Sequence, residues 1–458
     1  MKKRFSIGTR CSTGLLLLVA QGLAAAQSVP KLAVEKYTLP NGLEVILHED
    51  RSVPMVAVNT FYKVGSADEQ PGRTGFAHLF EHIMFMGSQN VAIGAFDQML
   101  EAAGAQNNGS TTEDRTDYNE EMPSNALPLA LWLDADRMGF LLPTMDLQKL
   151  DLQRDVVKNE RRQGVDNVPY GRAFEVIGAA IYPKDHPYSW PVIGSMADLS
   201  AATLEDVKQF FRTYYAPNNA SIAIAGDFHR DSAKAWIERY YGDIPRGPAL
   251  PSRPAPGTVS MASDTFLVLE DQVQLPRLYN TWHSVKYFHE DDGTLDILAY
   301  VLAGDKNSRL YKRLVYDMQV AQDVNAFQNS GRLVGQFWIV VTPKPGESPE
   351  RMAQLVNEEV QRVINDGITE RELTRAQNTI RARFLDRLAG VRNKASLLNT
   401  YNYFVGTPEY VQNDAARYDK VKPEDVKRVA STYLGKNKVV LTVVPTGKTD
   451  LMVKRGAE

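Results

Sequence analysis

The pentapeptide His78-Leu79-Phe80-Glu81-His82 carries the most specific chemical pattern in the chain. On a helix, at about 100° per residue, the neighbouring apolar residues share one arc, and His78, Glu81 and His82 share the opposite arc. Histidines at i and i+4 stand roughly 5–6 Å apart at Cβ, so both imidazoles can reach one ion. Glu81 lies close enough to take a proton from water on that ion. The alternative is a solvated polar helix face.

The N-terminus predicts a secretory signal peptide over residues 1–26. Basic residues precede the apolar run 15–20, and Ala24-Ala25-Ala26 offers small residues for cleavage before Gln27. The apolar run is too short to span a bilayer, although a retained membrane anchor is the alternative. Cys11, the single cysteine, leaves with this segment. The mature chain can therefore ligate a metal only through histidine, carboxylates and water, and it has no disulfide or thiol nucleophile.

Composition excludes other classes of function. The formal net charge is −3 and there is no basic stripe, so a nucleic-acid partner is not expected. No other stretch reaches the apolar length of a membrane helix, so no membrane span is expected after signal removal. A chain of 458 residues exceeds one typical domain.

Two small, polar strands are predicted after the histidine-bearing helix, over residues 105–112 and 116–119. Short side chains would let another backbone approach closely, which suits an edge strand that accepts a peptide. An ordinary exposed hairpin explains the composition equally well.

Residues 147–163 read as a charged helix in which Val156, Val157 and Glu160 share a face. A carboxylate beside two valines is partly buried and needs a partner. Two histidines and a glutamate are an accepted ligand set for catalytic zinc. Spacing alone does not select Glu160, because a surface charge on a charged helix would look the same.

An internal repeat divides the chain. Residues 204–225 combine a helix with an apolar strand, and the same pattern recurs over 423–444. Prolines cluster between the copies, which indicates a stiff linker over 245–258. We therefore predict an N-terminal zinc-binding half, 31–244, and a homologous C-terminal half, 259–458. In the second half the segment 295–302 takes the place of the histidine-bearing helix and carries no histidine.

Taken together, these motifs resemble the pitrilysin/insulinase family of inverted-zincin peptidases. The resemblance is to bacterial members of two-half size, which are similar to the zinc subunit of mitochondrial processing peptidase. It runs along nearly the whole mature chain. Beyond the pentapeptide it rests on the segments 154–160, 108–111 with 116–118, 186–188 with 193–195, and 308–311.

This resemblance implies an α+β fold of two α/β halves, each a largely antiparallel sheet with helices packed on one face, closing around a chamber. It implies one Zn²⁺ per chain, with His78, His82 and Glu160 as ligands and Glu81 as general base. Peptide substrate would add as a strand beside Asn108, Gly109, Ser110 and Thr111. The implied activity is that of an exported zinc metalloendopeptidase acting on peptides or unfolded segments. A zinc-binding but catalytically silent scaffold or assembly subunit of the same family is the alternative.

Two departures from the family pattern affect these expectations. Many members place a glutamate where this chain has Gln153, which would stand behind the metal ligands as an uncharged residue. Arg309 matches an arginine that contacts the substrate carbonyl, but the accompanying tyrosine position holds Gln322. We therefore predict a heterodimer with a homologous chain that lacks the zinc motif, with self-association as the rival. Export is expected to end in a periplasm, or alternatively outside the cell.

Overall fold

The computed structural model describes residues 29–253 and 259–456. The predicted signal peptide, 1–26, lies outside the described residues, and so does the end of the proline-rich linker. Within the described ranges, no helix combines the length and apolar character needed to cross a bilayer.

The strands form two sheets. Their bounds are β1 (Glu35–Thr38), β2 (Glu44–Glu49), β3 (Met55–Tyr62), β4 (Gln106–Thr111), β5 (Thr116–Pro123), β6 (Ala220–Gly226), β7 (Thr265–Asp271), β8 (Arg277–Ser284), β9 (Ala321–Ser330), β10 (Gly335–Pro343) and β11 (Val439–Pro445). The first sheet has the order β1-β2-β6-β3-β5-β4, and the second has the order β7-β11-β8-β10-β9.

Both sheets follow one topology, which confirms the predicted α+β fold of two related halves. Each contains one parallel pair, β2 with β6 and β7 with β11, and its other pairs are antiparallel. The repeated strands of the sequence, β6 and β11, occupy equivalent central places. In each sheet one outer place is held by the first strand of a hairpin, β4 or β9. The domain boundaries near residues 244 and 259 stay predictions.

The helices connect and cover these sheets. Their bounds are α1 (Phe76–Ile83), α2 (Ala95–Ala102), α3 (Leu127–Phe140), α4 (Leu147–Arg161), α5 (Ala173–Ile181), α6 (Met196–Ala201), α7 (Leu204–Tyr214), α8 (Arg230–Tyr241), α9 (Asp292–Ala303), α10 (Pro349–Asp366), α11 (Glu370–Arg387), α12 (Val391–Phe404), α13 (Val411–Asp419) and α14 (Pro423–Val429). Most helices of each half share one apolar core with the front face of that half's own sheet.

The rear face of each sheet is covered by a helix from the other half. Alternate residues of β2, β3 and β6 point backwards, and three of them are alanines, which allow α12 to pack closely. In return, α5 packs against the rear of β8, β10 and β11. The central strands β3 and β6 are therefore buried on both faces. The two halves interlock, and neither sheet is fully covered by its own sequence.

The described part of the linker is attached to both halves. Arg253 Nε lies 2.6 Å from Asp68 Oδ1, and the same guanidinium contacts the hydroxyl of Tyr403 on α12 and the carbonyl of Lys63. Gly247 N donates to Asn218 Oδ1 at 2.7 Å. These contacts fix the linker as it leaves the first half.

Candidate active site and metal centre

The helix α1 has the two faces that its sequence predicts. Phe76, Leu79, Phe80 and Ile83 are buried in the core of the first half, and the polar arc faces outward. No sequence pattern predicts the residue that holds the start of this helix. Glu69 accepts hydrogen bonds from the free backbone N–H groups of Gly75 (3.0 Å) and Ala77 (2.8 Å).

Gly75 itself needs a glycine because its φ is +90°. A Cβ at this position would also come 2.8 Å from the carbonyl oxygen of Ile193. The loop around Ile193 and Gly194 thus packs directly on the first turn of α1. This close packing fixes the direction in which the histidines project.

The structure brings His78, His82 and Glu160 together. Glu160 projects from α4, and its Oε2 lies 3.1 Å from His82 Nε2 and 3.7 Å from His78 Nε2. One potential ligand atom from each of the three residues lies within 4.8 Å of the others. Among the described residues this is the one cluster of three or more histidine, cysteine or carboxylate side chains that could hold a metal. Its donor set and its partly open side fit zinc in a catalytic site, which has three protein ligands and a free position.

Burial favours the protonation state that a metal ligand requires. It lowers the pKa of His78 to about 4, helped by the neighbouring His82. Burial also lowers the pKa of His82, against the opposing effect of Glu160. Both imidazoles therefore present a free lone pair at neutral pH.

Glu81 stands beside this cluster without being part of it. Its Oε2 accepts a hydrogen bond from Thr111 Oγ1 at 2.7 Å. Burial raises the pKa of Glu81 to about 7, although this hydrogen bond opposes the rise. A carboxyl group with such a pKa can both accept and return a proton near neutral pH.

The four predicted substrate-binding residues, Asn108 to Thr111, lie in β4 at the outer edge of the first sheet. Thr112 N donates to Arg115 O at 2.9 Å, which closes the β4–β5 hairpin. Because hydrogen-bonded pairs alternate in antiparallel strands, Asn108 and Ser110 direct their peptide groups to β5. Gly109 and Thr111 direct theirs to the open edge. The role of these residues toward substrate stays a prediction.

The remaining predicted residues have other close partners. Gln153 is buried in α4 and its Nε2 lies 2.6 Å from Met86 Sδ, while His78 Nδ1 is buried without a hydrogen-bond partner among the described residues. Arg309 Nε and Nη2 donate to the two carboxylate oxygens of Glu372 at 2.6 and 2.8 Å, and Nη2 also donates to a backbone carbonyl. Gln322 is exposed near the start of β9. The proposed parts of Gln153 and Arg309 in the site stay predictions.

The fold and the cluster define a class of protein in which one of two related α/β halves carries a His-x-x-Glu-His helix and a distant glutamate. The chain belongs to peptidase family M16, the insulinase family. The family model described as "Insulinase (Peptidase family M16)" matches residues 44–189, and that described as "Peptidase M16 inactive domain" matches residues 201–380. Together they span well over half of the chain, and the resemblance seen in the sequence is confirmed.

Relatives extend over most of the chain. The zinc protease PqqE of Helicobacter pylori is 29% identical over 441 residues, which are 94% of this chain and 97% of that protein. A probable mitochondrial-processing peptidase subunit beta of Arabidopsis thaliana is 22% identical and aligns with 89% of this chain and 77% of its own length. The crystal structure of a protease from Helicobacter pylori superposes with a TM-score of 0.83 at 25% identity, covering 91% of this chain and 100% of that one.

Proposed function

We propose that this chain is an exported zinc metalloendopeptidase that hydrolyses peptides or unfolded polypeptide segments. The observation that carries the proposal is the complete constellation: His78, His82 and Glu160 converge, and Glu81 stays free of the cluster beside them. A silent family member has no need to keep all four side chains in this arrangement. The similarity to a protein named zinc protease along almost the whole chain supports the same conclusion.

The proposed mechanism assigns a separate task to each residue. His78, His82 and Glu160 hold the metal. Bound zinc supplies Lewis acidity, which polarises the scissile carbonyl and makes water more acidic. Glu81 takes the proton from the attacking water and passes it to the leaving amine nitrogen. Thr111 donates to Oε2 of Glu81, and we assign the transferred proton to the other carboxylate oxygen, Oε1.

The substrate class follows from the edge strand. A peptide pairs with β4 through backbone groups, as in other cases of strand addition. Such pairing requires an extended segment with free N–H and C=O groups, which folded proteins rarely offer. The enzyme therefore selects peptides and unfolded segments. The signal-peptide pattern at residues 1–26 supports export, and the periplasm is the proposed destination.

A homologous chain without the zinc motif is the proposed partner. Leu152 and Val156 follow the same face of α4 as Glu160, and they are 52% and 40% exposed. Apolar residues in line with a metal ligand are suited to contact by a second polypeptide. Gln322 stands at the tyrosine position of the family pattern, so the proposed partner is a chain that supplies the arginine and tyrosine pair. The Arabidopsis relative, whose name calls it a subunit, is consistent with this proposal.

Metal analysis and a quenched-peptide assay test the activity. The wild-type protein should bind one zinc and cleave the peptide, and a chelator should abolish cleavage. Glu81→Gln should keep zinc and lose hydrolysis, whereas Glu160→Gln should lose both. Glu101→Gln, which changes an exposed carboxylate on α2, is the matched control and should behave as wild type.

Retention of near-normal turnover by Glu81→Gln would refute the assignment of the base. Zinc binding without cleavage of any peptide, alone or with a paralogous chain, would favour the silent scaffold instead. Light scattering of the chain with and without that paralogue distinguishes a heterodimer from self-association. Fractionation of the native host, followed by N-terminal sequencing, tests export and cleavage after residue 26.

A further inference from the structure

The strand β4 contacts Glu81 through two residues on the same face of the strand. Thr111 Oγ1 donates to Glu81 Oε2 at 2.7 Å. At Gly109, two residues earlier, there is no side chain between the strand and Glu81. A Cβ built there would lie 2.8 Å from Glu81 Cγ and 2.9 Å from Oε1. The carboxylate thus fits between a hydroxyl and a bare backbone.

Of the two side-chain oxygens that contact the hydroxyl of Thr111, the nearer is Oε2 of Glu81. Thr116 Oγ1 is 3.4 Å away, which is longer than the contact with Glu81, and Thr116 donates its own hydrogen to Val64 O at 3.0 Å. The side chain of Ser110 points to the other face of the strand, where its hydroxyl donates to Asp117 at 2.6 Å. Within β4, Thr111 is therefore the hydroxyl-bearing residue that reaches Glu81.

We propose that Thr111 is a positioning residue for Glu81, and that Gly109 supplies the space which this position requires. The inference rests on the proposed peptidase function and adds a role that differs from substrate contact. Thr111 holds Oε2 and Oε1 lies beside Gly109, so the strand fixes the orientation of the carboxylate. Gly109 and Thr111 also direct their peptide groups to the open edge of the sheet. A peptide paired with that edge is thus placed against the two residues that fix the base.

Steady-state kinetics with zinc-loaded variants separate positioning from substrate binding. Thr111→Val keeps the shape of the side chain and removes the hydrogen bond to a charged group, so kcat should fall roughly 10- to 100-fold. KM and zinc content should stay near the wild-type values. Thr111→Ser restores the hydroxyl and should recover most of kcat. Gly109→Ala should lower kcat with zinc retained, because its methyl group displaces Glu81.

A control addresses general effects of replacing threonine by valine. Thr213 on α7 donates to the carbonyl of Gln209 on the same helix, away from the cluster, and Thr213→Val should leave kcat unchanged. If Thr111→Val keeps wild-type kcat, or if its loss appears entirely in KM, the positioning role is refuted.

Thermal unfolding of the metal-free protein gives a readout that does not depend on activity. Thr111→Val should lower Tm in the wild-type background and have a much smaller effect in the Glu81→Leu background, where the acceptor is absent. Equal effects in both backgrounds would show that the hydrogen bond does not form and would overturn the proposal. If the wild-type protein is inactive but the effect of Thr111→Val on Tm depends on Glu81, the proposed function is refuted, whereas the hydrogen bond between Thr111 and Glu81 is confirmed.

Discussion

Replacing Asn399 by alanine should weaken the attachment of α12 to the first sheet. Asn399 is fully buried, and its Nδ2 donates to Asn59 O and Oδ1 at 2.7 and 2.6 Å. Its Oδ1 accepts from Ser221 Oγ at 2.7 Å. These three bonds join α12, from the second half, to β3 and β6 of the first. The alanine variant loses all of them and leaves buried polar groups of Asn59 and Ser221 without partners.

The expected cost follows from the number of bonds lost. Each hydrogen bond contributes about 1 kcal/mol net, and orphaned buried groups add to this, so the free energy of unfolding should fall by about 3 kcal/mol. Guanidinium unfolding followed by circular dichroism measures the change. Asn413→Ala, at an exposed position on α13, is the matched control. A difference between the two variants below about 0.5 kcal/mol, the usual size of a surface effect, would refute the account of how the halves are joined.

Three further predictions concern metal and charge. Chelation should lower Tm of the wild type, since a ligand that binds only the folded state stabilises it, and added zinc should reverse the change; Glu160→Gln should show no such response. Burial raises the pKa of Glu372, but the opposing effects, of which the hydrogen bonds from Arg309 are the largest, together lower it by more, and the resulting pKa is about 2. Glu372→Gln should therefore be less stable than wild type above about pH 4.5, and the difference should vanish as pH falls through about 2 in acid titrations of Tm. Lys394→Met should lower Tm at pH 7, because Lys394 lies 2.5 Å from Asp50 and holds the pKa of that carboxyl well below its usual range. At acidic pH, where Asp50 is protonated, the difference in Tm between the variant and the wild type should shrink.

The helix α1 shows what the sequence could predict. Helical spacing within nine residues predicts a polar face with two histidines and a glutamate, and an apolar face opposite to it. The helix in the structure has these two faces. Glu160 is different, because it reaches His82 only through packing of α4 on α1, 78 positions further along the chain. No local pattern encodes that contact. The resemblance to a family supplied the residue where spacing could not.

Other features depend on tertiary packing. Glu69 holds the start of α1 from a loop, where an acidic residue has no periodic signal. The apolar faces of α5 and α12 show that each helix must pack on something, but they do not specify the opposite half as the partner. The fold of each half was therefore predictable, and the exchange of helices between them was not. Arg309 illustrates the same limit, since its motif gives no sign of its pairing with Glu372.

The exchange of helices has a consequence for biosynthesis. A ribosome delivers residues 35–226 long before Val391–Phe404, so a newly made first half waits with Ile46, Ala57 and Ala223 uncovered. The apolar rear face of the first sheet stays exposed until nearly 180 further residues have been synthesised. A chaperone that binds the nascent chain would prevent its aggregation through this surface. A gene fragment that encodes the first half alone would yield insoluble protein.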